Sequence, residues 1–211
     1  MQIAVVVYDR FTALDAVGPY EILSRLPGAE TVFVAERSGP VRTDTGFLAV
    51  TADKALDEVP SPDVLVVSGG PGTVTQMESP ALLNWLRAAD ATSAWTTSVC
   101  SGSLLLAAAG LLRDRRATSH WAVLDLLKEF GAEPTGDRVV TDGKYVTAAG
   151  VSAGLDMALT LVGRIAGDEH AQAVQLWTEY DPRPPYDAGA PHKAPAHLVE
   201  ELRTGGRFSL T

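Results

Sequence analysis

Short apolar blocks recur along the chain and alternate with stretches of helical spacing. Gln2–Tyr8 (QIAVVVY) and Val64–Val67 (VLVV) are unbroken and rich in β-branched residues, the pattern of strands buried on both faces. Thr31–Ala35 and Ala94–Val99 predict two further strands. Helices are predicted over Glu21–Leu26, with Pro19 in the first turn, and over Ser79–Ala89, with Ser79 as cap and Pro80 at the first helical position. Gly102–Ala109 reads as a small, buried helix, and His120–Phe130 as an amphipathic one ended by Gly131. Two more helices follow over Ala153–Ala166 and Glu169–Tyr180. Asp44-Thr45-Gly46 and Asp142-Gly143 supply turn chemistry for two hairpins, within Val41–Thr51 and between Arg138–Thr141 and Tyr145–Ala148.

Strands alternating with helices predict an α/β fold with a mostly parallel sheet and helices on both faces. No repeat or linker interrupts the pattern, so residues 1–211 are expected to form one domain. Within it, residues 181–211 are a Pro/Gly-rich carboxyl-terminal arm with a short helix around Ala196–Arg203. Ligands of such sheets bind at the carboxyl ends of the strands.

Composition narrows the function classes. With 46% hydrophobic and 20% charged residues the chain has the mix of a globular protein. A formal charge of −9 disfavours a nucleic-acid partner. No apolar run approaches the ~20 residues of a membrane span, and Met1–Tyr8 reads as structure rather than a signal peptide. A single cysteine excludes an intramolecular disulfide and fits a reducing, cytoplasmic location. No histidine pair has a trustworthy metal-ligand spacing, so neither metal nor cofactor is expected.

The chemistry centres on Thr97-Ser98-Val99-Cys100-Ser101-Gly102-Ser103, where a strand ends at Cys100 and a helix begins at once. This is the cysteine form of a nucleophile elbow, and the helix start is expected to lower the thiol's pKa. A buried structural cysteine fits the same local pattern, and both readings stay open at this point. Ser68-Gly69-Gly70-Pro71-Gly72 follows a neighbouring strand and, with the Ser101 N–H, offers an oxyanion-type hole; a plain turn is the alternative. Asp15 is expected just before the first helix, as an acid/base or a cap, and Glu21 two turns in, as a buried structural or tuning carboxylate. His120 follows a strand-like approach and is placed within reach of the pocket.

Four segments, in order, carry a family resemblance: LDAVGPYEIL (Leu14–Leu23), VLVVSGGPG (Val64–Gly72), TSVCSGSLLLAAAGLL (Thr97–Leu112) and ATSHW (Ala117–Trp121). They resemble the ThiJ/PfpI family of the class I glutamine amidotransferase-like superfamily, whose fold is a flavodoxin-like, doubly wound sheet with a nucleophile elbow. Within it they are most similar to the isonitrile hydratases, through LD-x-x-GP-x-E, a hydroxyl residue after the cysteine, and a tail like Tyr180–Pro191. The resemblance implies Cys100 as nucleophile, Asp15 as the essential carboxylate, backbone help from Gly70 and Ser101, and a homodimer. It implies hydration of a small neutral isonitrile to a formamide, without cofactor or metal. Ser101 stands where those enzymes usually carry threonine. The histidines of the superfamily's amidotransferases and peptidases have no counterpart here, which speaks against those activities. A ligand sensor related to AraC-type regulators and a glyoxalase/deglycase-type enzyme are the competing expectations. For the sensor, the chain up to Thr211 leaves no room for a helix-turn-helix region, so a stand-alone form is the version expected.

Overall fold

The structure, a computed structural model, describes residues 1–205. The strands are β1 (Gln2–Val6), β2 (Glu30–Ala35), β3 (Gly39–Arg42), β4 (Ala49–Ala52), β5 (Lys54–Ala55), β6 (Val64–Val67), β7 (Trp95–Val99), β8 (Arg116–Ala117), β9 (Glu133–Pro134), β10 (Val139–Asp142) and β11 (Tyr145–Ala148). The helices are α1 (Ala13–Leu23), α2 (Thr73–Gln76), α3 (Pro80–Asp90), α4 (Gly102–Ala108), α5 (Ala153–Ala166), α6 (Asp168–Trp177) and α7 (Ala196–Arg203).

One sheet runs in the order β10-β11-β7-β6-β1-β2-β5, parallel throughout except where β10 meets β11. The apolar blocks of β1 and β6 fill its middle, and Ile3, Val5, Val64, Leu65 and Val66 are fully buried. Burial of each such side chain contributes roughly 1.5–3 kcal/mol, which is why these positions tolerate no polar break. Helices α1, α5 and α6 pack together against one face, and α3 and α4 against the other. The two expected hairpins form, β3 with β4 and β10 with β11.

The register sets the functional edge. Val6 pairs with Val67 and Val67 with Ser98, so the loops after β1, β6 and β7 leave the sheet side by side.

Two predicted boundaries are corrected. Helix α1 begins at Ala13 rather than Glu21, which places Pro19 inside the helix and Asp15 in its first turn. Pro19 has no N–H to return to the Asp15 carbonyl, and packing of α1 on α5 carries the helix through that break. The stretch His120–Phe130 is not an α-helix but a turn followed by a 3-10 segment over Leu124–Phe130. There the Ala122 N–H donates to His120 Nδ1 at 3.3 Å, a local bond that competes with helix formation. Gly131 ends that segment in the left-handed conformation, as expected. The arm carries α7 where predicted, and its residues 206–211 lie outside the described residues. No helix among the described residues is long and apolar enough to cross a membrane.

Candidate active site

Strand β7 delivers Cys100 to the carboxyl edge with a φ of 60°, the left-handed region that side-chain-bearing residues rarely occupy. Such strain costs about 1–3 kcal/mol and persists only where neighbours fix it. Here they do. The Cys100 N–H donates to the carbonyls of Ala148 (3.1 Å) and Ala149 (2.8 Å) at the end of β11. The Cys100 carbonyl accepts the hydroxyls of Ser119 (3.1 Å) and Ser103 (3.2 Å). The turn closes because residue 102 is glycine: a Cβ there would collide with the Val67 and Ser68 carbonyls.

Asp15 comes from the first turn of α1 and is fully buried. Its Oδ2 accepts the Gly69 N–H at 3.0 Å. Its Oδ1 is buried with no hydrogen-bond partner among the described residues, and the Cys100 side chain is near enough to favour the ionised carboxyl. Burial pushes the Asp15 pKa up to about 7, opposed by the bonds from Gly69 and Cys100 and assisted by the charge of Asp44. Position 69 must be glycine for this approach, since a Cβ would sit 2.6 Å from the Ser101 nitrogen and 2.9 Å from Asp15 Oδ2.

The expected low thiol pKa is overturned. Burial first, and the charge of Asp15 second, push the Cys100 thiol well above its ordinary range. The Ser101 N–H at the start of α4 opposes this but does not outweigh it. At rest the sulfur therefore holds its proton, with the buried Asp15 carboxyl close by.

The glycine loop is used differently from the expectation as well. The Gly70 N–H donates to Ser101 Oγ at 2.9 Å and the Gly69 N–H to Asp15, so both amides fix side chains of the site rather than standing free for an oxyanion. The Ser101 N–H faces the sulfur. Ser101 Oγ also meets Thr73 Oγ1 at 2.8 Å, and Thr73 Oγ1 meets Tyr8 Oη at 2.9 Å. Tyr8 and Thr73 were not singled out in the sequence. Tyr8 lies just past β1 and Thr73 opens α2, and the side-by-side exit of β1 and β6 brings them together.

Glu21 is not a buried neighbour of the thiol. It pairs with Arg25 one turn on, with its side chain 45% exposed, because its helical position faces outward once α1 starts at Ala13. His120 lies against Gly150, two residues past β11, and burial lowers its pKa. It makes no hydrogen bond to Cys100 among the described residues; the neighbouring Ser119 does instead. A cavity of about 420 Å³ opens where β1 and β2 end, walled by Tyr8, Val41, Leu56, Leu82, Arg37 and Arg42 among others, and Cys100 is not in its wall. No cluster of three or more metal-ligating side chains occurs among the described residues.

Residues 1–164 match the model of the DJ-1/PfpI family. The chain is 43% identical over 210 residues to the isonitrile hydratase of Pseudomonas putida, covering all of this chain and 92% of that one. It is 35% identical over 138 residues to the transcriptional regulator CdhR of Pseudomonas aeruginosa, covering 64% of this chain and 40% of the regulator. A solved ThiJ/PfpI family protein from Pseudomonas syringae superimposes with a TM-score of 0.91 at 42% identity, over 96% of this chain and 83% of that one.

Proposed function

This chain belongs to the DJ-1/PfpI family, and from that premise we propose that it hydrates isonitriles to N-substituted formamides, with Cys100 as nucleophile and Asp15 as proton carrier. The observation that carries the reading is the buried thiol–carboxyl pair, with Asp15 near 7 and a thiol that keeps its proton at rest. The full-length likeness to an isonitrile hydratase supports it.

In this reading the Asp15 carboxylate takes the thiol proton as the sulfur bonds to the terminal isonitrile carbon. Asp15 then gives that proton to the same carbon, leaving a neutral thioimidate, R–N=CH–S–Cys100. Water adds to the C=N carbon: Asp15 accepts one water proton and the nitrogen receives one. Collapse of the tetrahedral adduct breaks the C–S bond, forms the formyl C=O and returns a proton to the sulfur. The single negative charge passes between Asp15 and the adduct, so the net charge of the buried site stays constant through the cycle. The loop amides act by holding Asp15 and Ser101 in place.

The test is a panel of aliphatic and aromatic isonitriles together with methylglyoxal. Wild-type protein is expected to release the formamide and, when quenched, to carry a mass increase equal to one isonitrile on Cys100. Cys100→Ala is expected to fall to the uncatalysed rate. Full turnover by Cys100→Ala overturns the mechanism. Turnover of methylglyoxal alone favours a glyoxalase, and binding without an adduct favours a sensor.

A further inference from the structure

Three buried hydroxyls connect the end of β6 to the elbow, and counting their protons gives the chain a direction. Tyr8 Oη lies 2.8 Å from the Ser68 carbonyl oxygen, which only accepts, so the single phenolic proton is committed there. Thr73 must then donate across its 2.9 Å contact with Tyr8. That leaves Ser101 as the donor in the 2.8 Å contact between Ser101 Oγ and Thr73 Oγ1. The Gly70 N–H fills one lone pair of Ser101 Oγ, and a longer contact of 3.3 Å to the Gly70 carbonyl is the other outlet for the Ser101 proton. Tyr8 is 6% exposed, Thr73 2% and Ser101 2%, so protein groups rather than bulk solvent set this order.

We propose that Tyr8 is a positioning residue: acting through Thr73, it turns the Ser101 hydroxyl proton away from Cys100, so that the resting sulfur receives no hydrogen bond from that hydroxyl. Turning the Ser101 proton to the sulfur leaves the Thr73 oxygen without its donor unless the whole chain reverses, and that reversal requires Tyr8 to release the Ser68 carbonyl. Of the titratable groups facing the thiol from the packed elements, Asp15 from α1 raises its pKa and Asp44 acts on Asp15 in turn, while Tyr8, just after β1, is itself pushed up by the Cys100 charge. His120, from the segment after β8, faces Gly150. Reversing the hydroxyls changes the partner of the Tyr8 proton but no hydrogen bond of Asp15, Asp44 or His120, so the Ser101 proton is the variable next to the sulfur.

The inference rests on the same site as the proposed hydration, and its test reads the thiol alone. Cys100 is the only cysteine, so the iodoacetamide adduct mapped to its peptide by mass reports the thiol. Reagent access to the buried sulfur scales the plateau rate of alkylation, while the midpoint of the pH profile reads the thiol pKa. In Tyr8→Phe, Thr73 is free to donate to Ser101 and Ser101 to the thiolate, a charged acceptor preferred over the distant carbonyl. The midpoint is expected to fall, with alkylation at neutral pH about three- to tenfold faster. Thr73→Val removes the acceptor of the Ser101 proton and is expected to shift the same way, whereas Thr73→Ser keeps the chain and the wild-type profile. Unchanged or raised midpoints in folded Tyr8→Phe and Thr73→Val overturn the proposal, as does a Thr73→Ser profile like that of Thr73→Val. If Tyr8→Phe does not fold, the two Thr73 variants decide. Isonitrile turnover is assayed in parallel: its absence in the wild type counts against hydration, while the alkylation midpoints still judge the hydroxyl chain.

Discussion

Asp15 illustrates how one buried proton sets both stability and rate. Its carboxyl titrates near 3.8 when solvated and near about 7 in the fold. Below pH ~4 both states keep the proton, and burial of the neutral acid is tolerated. Between about 4 and about 7 the unfolded chain ionises first, so stability is lost as pH rises through this window and levels off above it. The shift of about three units corresponds to roughly 4 kcal/mol. Asp15→Asn is therefore expected to melt higher than wild type at pH 8 and nearly alike at pH 4. Its kcat/KM is expected to drop about 10²–10⁴-fold. The acid limb of the wild-type pH–rate profile, expected near 7, should vanish with it; a limb that persists would assign it to another group. Cys100 and Asp15 were candidates from the elbow and from Leu14–Glu21, with a structural cysteine and a helix cap left open until the family resemblance favoured them. The sign of the thiol shift was not legible, because the helix start is local in sequence while burial and the Asp15 charge arrive from α1, more than eighty residues earlier.

Among the elements, the loop after β6 has the least freedom. Its first glycine lies where the Ser101 amide and the Asp15 carboxyl converge. In Gly69→Ala the new methyl must push the elbow and α1 apart. A loss of about 1–3 kcal/mol is expected by thermal melting, with turnover down more than tenfold at unchanged circular dichroism. Wild-type turnover in that variant would mean the loop and elbow are not held as described. The same loop was legible as a functional candidate, but not its use of Gly69 and Gly70 amides for Asp15 and Ser101, which is a tertiary fact. The central strands and α5 were legible because apolar runs and helical spacing report burial directly. Helix α2, β5, β8 and β9 are too short to show a period. Helix α1 was read late because Gly18-Pro19 resembles a helix start, and packing on α5 overrides it.

Across the whole molecule the sheet divides labour between its ends. The amino edge holds a closed polar knot: Asp90, at the end of α3, accepts from Thr96 (2.6 Å) and Tyr145 (3.0 Å) and pairs with Lys144 at 3.2 Å. Tyr145→Phe is expected to lower stability by about 1–2 kcal/mol in denaturant titration and to leave turnover at the wild-type rate. A large fall in turnover would show that the two edges are coupled. At the carboxyl edge the elbow is held by the Ala148 and Ala149 carbonyls and by two serine hydroxyls, all of them bonded to the main chain of residue 100 and none to its sulfur. The shape of the elbow and its reactivity are thus separately heritable. A lineage that lost the thiol would keep the cup, and natural selection acting on what the cup holds would need no new scaffold to turn a catalyst into a receptor.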